Sequence, residues 1–286
     1  MAGLKDSLDA LLEETEKSFL LAGIDSAKRE AWWLFRDLLP EWSGIKGTEK
    51  KLSVLEQKRI KEAVSRRIKR EPLAYISGEK GFWNDSFKVD KSTLIPRADS
   101  EALIELFLKM VPDKNISASI LDLGTGTGCL LLSILSERIK MFGIGTDIVP
   151  NAIFLAQENA KNLDLLERSE FVVSDWGRGI ERQFNFIISN PPYIKTTDIK
   201  SLMPEVALFE PSSALDGGKD GLDCYKLILE RARKMLLPEG KIFFEIGEGQ
   251  GREVCTIAES LGFSLLGQQD DLTGKERALV FCCQKK

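Results

Sequence analysis

The sequence predicts an α/β protein, a doubly wound and mostly parallel seven-stranded sheet, preceded by a small helical bundle and a β-hairpin linker. Three observations carry this expectation. From Ser119 onward, short apolar runs of strand length alternate with stretches of helix length, because each parallel crossover needs a helix. Four successive runs end in residues that carry chemistry, and an open α/β sheet gathers its ligand-binding groups along that carboxyl edge. Before about residue 75 there are only apolar patterns at helical spacing.

The elements follow in chain order. Leu4, Leu8, Leu11, Leu12, Phe19 and Leu20 lie at helix spacing among acids and lysines. A second stretch, from Ala31 to Leu39, carries Trp32 and Trp33 and stops at Pro40, where a helix loses a donor. The tryptophan pair reads as core packing. Leu55 to Ile68 is a third amphipathic stretch, and its basic run Arg66, Arg67, Lys69 and Arg70 reads as a solvated face with a possible acidic or RNA-bearing partner. Phe82-Trp83 and Phe87 to Val89, punctuated by Asn84-Asp85, predict the hairpin. Ile95-Pro96-Arg97 closes the linker, so the expected domains are 1–75, 76–97 and 98–286. Beyond it, a helix from Ser100 to Met110 leads into strands at Ile120–Leu123, Met141–Thr146, Phe171–Val173, Phe184–Ser189 and Lys241–Ile246. Helices at Cys129–Glu137, Ala152–Asn162, Asp223–Leu236 and Glu253–Leu261 fill the gaps. Phe263–Gly267 and Arg277–Cys282 have no helix between them and predict an antiparallel pair at the sheet edge.

Composition narrows the chemistry. A net charge of −4 disfavours a protein that holds nucleic acid by neutralising phosphates. No window approaches the roughly 18 apolar residues of a membrane span, and the first residues lack a signal-peptide core. A cytoplasmic protein is expected, with no membrane partner. The five cysteines lack metal or redox spacing and read as idle thiols. There is no histidine, so Ser-His-Asp triads, Cys-His pairs and histidine metal sites are excluded. No metal site is expected.

Two motifs remain. Asp122-Leu123-Gly124-Thr125-Gly126-Thr127-Gly128 leaves the first parallel strand and enters a helix. Its alternating glycines miss the phosphate-binding spacing, and no P-loop lysine follows. A glycine turn without phosphate machinery suits a nucleoside carrying no phosphate, of which S-adenosylmethionine is one. Asp147 ends the second strand, where a carboxylate can accept both ribose hydroxyls. Asp175 and Trp176 follow the third, where an acid and an indole can edge and stack on adenine.

Asn190-Pro191-Pro192-Tyr193 ends the fourth. Two prolines stop the strand and remove two N–H donors. Their carbonyls stand beside the Asn190 amide oxygen and the Tyr193 ring. Such a donor-poor corner suits a planar –NH2 group held by its hydrogens while its nitrogen attacks. Asn190, Pro191 and Tyr193 are the expected catalytic residues, and with Pro192 they form the expected substrate site. Asn190 also joins Gly124, Thr125, Gly126, Thr127, Gly128, Asp147 and Trp176 as the expected cofactor set.

The chain resembles the HemK/PrmC family of protein-glutamine methyltransferases that modify peptide release factors. The likeness runs from Arg70 through Arg70-Glu71-Pro72-Leu73-Ala74-Tyr75, Leu94-Ile95-Pro96-Arg97, the glycine turn and Ser189 to Ile194. It continues through Phe209-Glu210-Pro211, Gly217 to Asp223, Glu245-Ile246-Gly247 with Gln250-Gly251, and Asp271 to Gly274. Ala98-Asp99-Ser100-Glu101 departs from the family's usual Pro-Glu-Thr-Glu but keeps the polar residue and the final acid. The resemblance implies a Rossmann-like class I fold and S-adenosyl-L-methionine as methyl donor. It implies as substrate the glutamine in the Gly-Gly-Gln loop of class-1 peptide chain release factors. A monomer without a direct nucleic-acid substrate is expected. The alternatives are a ribosomal-protein glutamine methyltransferase and an N6-adenine methyltransferase, since Asn-Pro-Pro-Tyr also grips exocyclic amines.

Overall fold

The computed structural model describes residues 8–39 and 52–284; Leu4 and Pro40 lie outside them. The chain forms two compact units, residues 1–79 with 203–209, and residues 80–202 with 210–286.

The first unit is helical: α1 (Leu8–Leu21), α2 (Ala27–Leu38), α3 (Val54–Ile68) and the short α4 (Leu73–Ser77). Helix α3 starts at a capping box, in which Ser53 and Glu56 satisfy each other's backbone N–H groups. Leu8, Leu12 and Phe19 of α1 meet Leu34 and Phe35 of α2 and Ile60 of α3 in one apolar core. Trp32 and Trp33 are not part of that buried core, which corrects the packing expectation. At 100° per residue, the positions that carry Ala27, Ala31, Leu34 and Phe35 inward leave this pair toward the flank. Arg36 stacks over Trp32 and Arg29 over Trp33 instead.

The basic run is a solvated face only in part: Arg66 and Lys69 are exposed, whereas Arg70 is half-buried. Arg67 is buried, with its Nε 2.6 Å from Glu30 and its Nη2 2.9 Å from Glu205. Arg70 also pairs with Glu205 at 2.8 Å, and Arg66 pairs with Glu71 at 2.8 Å. The reason lies far along the chain. Residues 203–209 belong to this unit and include α8 (Pro204–Phe209), which brings in Glu205.

The second unit opens with the hairpin, β1 (Glu79–Phe82) and β2 (Asp85–Lys88). It is built into this unit rather than standing apart as a linker. Phe82 and Phe87 meet edge to face within the core, and the Trp83 indole donates to Glu137.

The large sheet contains β3 (Ser119–Leu123), β4 (Phe142–Asp147), β5 (Ser169–Val173), β6 (Phe184–Ser189), β7 (Leu236–Glu245), β8 (Phe263–Asp270) and β9 (Glu276–Cys283). Its order is β5-β4-β3-β6-β7-β9-β8. Strands β3 to β7 pair in parallel, and β9 runs antiparallel between β7 and the edge strand β8. Side chains alternate between the two faces with the period of two that strands impose. Ile120, Phe186, Ile188 and Phe243 face one core, built with α5 (Glu101–Met110), α6 (Cys129–Glu137) and α7 (Pro150–Asn162). Leu121, Ile187, Ile242 and Phe244 face the other, built with α9 (Asp223–Met235) and α10 (Gly251–Ser260).

This winding reverses between β3 and β6, which are neighbours with Asp122 opposite Ile188. The glycine turn and the Asn-Pro-Pro-Tyr corner therefore leave the sheet side by side, at its topological switch point.

Removing Arg67 strands Glu30 and leaves a gap among apolar helices. Arg67→Ala is expected to destabilise the first unit by about 3 kcal/mol, the cost of breaking a buried ion pair. Guanidinium denaturation of the full chain, with hydrogen exchange assigning the loss to α1–α3, measures it; an unchanged midpoint contradicts it.

Candidate active site

A cavity of about 300 Å³, mostly apolar in lining, opens where β3, β4, β5 and β6 end. The glycine turn forms its floor. Gly124 and Thr125 donate their N–H groups to the Thr146 carbonyl, both at 2.8 Å, which pins the turn to β4. Gly124 has φ 77°, and a Cβ there would press on the Trp176 ring at 3.2 Å. The Thr125 hydroxyl turns under the loop and donates to Asp122 Oδ2 at 2.6 Å. Burial pushes Asp122 up to about 7, against that bond, and the charge of Asp147 adds to the rise.

Asp147 stands where the sequence places it, at the end of β4. Its Oδ2 accepts from the Gly126 N–H at 3.0 Å and its Oδ1 from the Val149 N–H at 2.9 Å. Each oxygen keeps a further lone pair, so two hydroxyls can still be accepted. Burial raises the Asp147 carboxyl, while those two backbone bonds oppose the rise.

Gly124, Thr125, Gly126 and Thr127 all line the cavity, together with Asp147 and Trp176. Gly128 does not. A Cβ there would meet Leu132 at 3.1 Å and Ala156 at 3.3 Å, so its role is to let α6 pack against α7. Asp175 lines the cavity edge but is held by Arg231.

The Asn-Pro-Pro-Tyr corner is divided. Asn190 and Pro192 line the cavity, whereas Pro191 and Tyr193 do not. Asn190 Nδ2 donates to the Ser100 hydroxyl at 3.3 Å. Tyr193 borders a second cavity, and its hydroxyl donates inward to Glu245 Oε1 at 3.2 Å. It anchors the corner, and its ring is half-buried against the α9 side of the sheet rather than an open wall.

The sequence reading assigned no role to the residues that brace this corner. Gln250 Nε2 donates to the Tyr193 carbonyl at 3.0 Å and to the Gly221 carbonyl at 3.3 Å. A Cβ on Gly221 would lie 2.4 Å from that same Tyr193 oxygen, so only glycine lets the two backbones approach. Glu210, buried, accepts from the Ile95 N–H and pairs with Arg97, fixing the segment that forms the opposite wall. The signal was present in the Phe-Glu-Pro and Gly-Leu-Asp runs, but sequence distance hid which elements they join.

The donor set fits a nucleoside that carries no phosphate: a glycine cradle without phosphate ligands, a strand-end carboxylate and an indole. Sheet order, switch point and site together define a class I methyltransferase. A family model for the methyltransferase small domain matches residues 99–218, and one for the PrmC N-terminal domain matches residues 10–78. The release factor glutamine methyltransferase of Rhodospirillum rubrum is 38% identical over 275 residues, spanning 96% of this chain and 84% of that protein. That of Cereibacter sphaeroides is 39% identical over 262 residues, spanning 90% and 91%. A methyltransferase from Pyrococcus furiosus, 18% identical, superposes with a TM-score of 0.51 over 80% of this chain and 98% of that one, a likeness of fold alone. The chain belongs to the release factor glutamine methyltransferase family.

Among the described residues there is no cluster suited to a metal and no helix long and apolar enough to cross a membrane. Cys129 and Cys224 both line the cavity, and burial pushes their thiols up to about 12 and about 11. At pH 8, Cys129 is expected to alkylate with iodoacetamide roughly 1000-fold more slowly than an exposed thiol, because only the thiolate reacts. A mass-spectrometric time course reads this, and alkylation at the exposed-thiol rate contradicts the burial.

Proposed function

We propose that this chain transfers a methyl group from S-adenosylmethionine to the side-chain amide nitrogen of the glutamine in the Gly-Gly-Gln loop of a class-1 release factor. The observation that carries the reading is the Asn190 side chain, which enters the cavity at the switch point with its NH2 already committed to Ser100. Its oxygen is therefore the end presented to a ligand.

S-adenosylmethionine, when bound, supplies an electrophilic methyl. Gly124, Gly126 and Thr127 hold the nucleoside against bare backbone, Asp147 accepts the ribose hydroxyls, and Trp176 covers the adenine. An amide nitrogen is a poor nucleophile because its lone pair is delocalised into the carbonyl. The Asn190 oxygen and the Pro191 carbonyl accept the two amide hydrogens and so aim the lone pair at the methyl. Orientation of this kind is worth up to about 7–11 kcal/mol in well-aligned systems. Fixed acceptors also stabilise the positive charge that develops on nitrogen. The resulting cation is a strong acid and loses its proton to water, which is why a chain without histidine suffices. Tyr193 holds the corner from behind. Residues 1–79 with 203–209 form a separate unit suited to holding a protein substrate. The monomeric state and a cytoplasmic setting belong to the same reading.

Labelled S-adenosylmethionine, offered in parallel with a release factor, a ribosomal protein and nucleic acid, is expected to label the release factor. Label on either of the others instead overturns the substrate. Asn190→Ala is expected to lower transfer about a hundredfold, the scale of losing one transition-state hydrogen bond, while still binding cofactor. Asp147→Ala is expected to weaken cofactor binding in titration calorimetry; unchanged affinity would remove its assigned role.

A further inference from the structure

Glu245 closes β7 with a side chain that the methyl-transfer mechanism does not use. The residue is 1% exposed. Its Oε1 accepts from the Tyr193 hydroxyl, and its Oε2 is buried without an aligned hydrogen-bond partner. The Ser100 hydroxyl lies beside the carboxylate and favours its charged form. That same hydroxyl oxygen receives the Asn190 Nδ2 proton. A buried carboxylate with an unsatisfied oxygen is costly, so a plain packing role explains it poorly.

We propose that Ser100 and Glu245 are positioning residues for methyl transfer, the charged Glu245 drawing the Ser100 proton to itself so that the Ser100 oxygen can only accept. A hydroxyl has one proton. With that proton turned to Glu245, Ser100 faces Asn190 with lone pairs alone, and the Asn190 amide must present NH2 to it and its oxygen to the substrate. When Glu245 is neutral the restriction lifts. Ser100 can then donate to the Asn190 oxygen and turn the amide end for end, placing two donors where the substrate amide needs acceptors. Glu245 thus acts through Ser100 and Asn190 and touches no reacting atom.

The electrostatics set where the change falls. Burial raises Glu245 to about 7, the Ser100 hydroxyl, Arg277 and Tyr193 oppose the rise, and Asp99 adds to it. Those groups face it from β9, the corner and the turn before α5; Tyr225 on α9 and Cys129 at the start of α6 also sense its charge. Glu245 is charged above about pH 7, so the Asn190 orientation is enforced there and released as pH falls through that value.

The inference rests on the proposed glutamine transfer, and the experiment separates the two. Wild-type enzyme, labelled S-adenosylmethionine and release factor give the baseline; no label there fails the substrate reading, whatever the variants do. Given wild-type activity, Ser100→Ala is expected to lower kcat about tenfold, with KM for release factor and cofactor affinity unchanged, and Ser100→Thr to restore it. The wild-type kcat is expected to fall below pH 7, and that inflection to vanish in Glu245→Gln. Ser100→Ala at wild-type kcat overturns the proposal, as does Ser100→Thr no more active than Ser100→Ala. If Glu245→Gln fails to fold, the pH profile of Ser100→Ala decides: an inflection near 7 kept intact overturns the proposal, and its loss supports it.

Discussion

Everything at this site depends on two adjacent parallel strands ending differently. Strand β3 stops in glycine, which permits a tight turn and a bare backbone surface. Strand β6 stops in proline, which forbids further pairing and strips donors from the edge. Their pairing, with Asp122 opposite Ile188, sets a methyl-donor cradle beside an acceptor corner. Neither end has a free choice of position, because β4 pins the glycine turn through the Thr146 carbonyl and Gln250 pins the corner through the Tyr193 carbonyl.

The bracing has an electrostatic consequence. Asp122 and Glu245 are both buried and both raised to about 7, well above the ordinary carboxylate range. A carboxyl whose folded value exceeds its unfolded one binds protons more tightly when folded. Its contribution to stability is therefore fully present below the unfolded value and lost as pH rises through about 7. The site is strained in its charged form, at the pH where enforcement of the Asn190 orientation is strongest. Asp271 shows the opposite design: Thr273, the local backbone N–H groups and Arg277 all stabilise its charge and hold it well below the usual range.

The sheet was legible in the sequence because its central strands β3, β4 and β6 are buried on both faces and helices such as α9 and α10 are amphipathic. Both signals are local. The antiparallel closing pair was legible because no helical pattern separates Phe263 from Arg277. Failures came where a distant element decides the environment. Arg67 looks solvent-facing among its neighbours, but its partners Glu30 and Glu205, both distant in sequence, hold it buried. Trp32 and Trp33 look like core residues by composition, yet the inward stripe of α2 passes them by. At the site, residue types picked out a cofactor set that lines the cavity in all but Gly128. They could not show that Gly128 serves helix packing or that the Tyr193 hydroxyl points inward, because both depend on what packs behind. Ser100 reads from sequence only as a helix start and a polar residue.

The absence of histidine explains why so much structure stands behind one asparagine. An enzyme with a base can tolerate some looseness, since proton removal itself activates the nucleophile. In the proposed transfer no group removes a proton before the bond forms, so the gain must come from direction alone. An amide acceptor has a weakness here: its oxygen and NH2 occupy nearly the same volume, and a half-turn exchanges them. Steric packing therefore distinguishes the two ends poorly. A hydrogen-bond partner of fixed polarity distinguishes them well, and a hydroxyl gains fixed polarity only when something else holds its proton. That requirement gives a buried carboxylate at the end of β7 a physical purpose, two residues removed from the atoms that react.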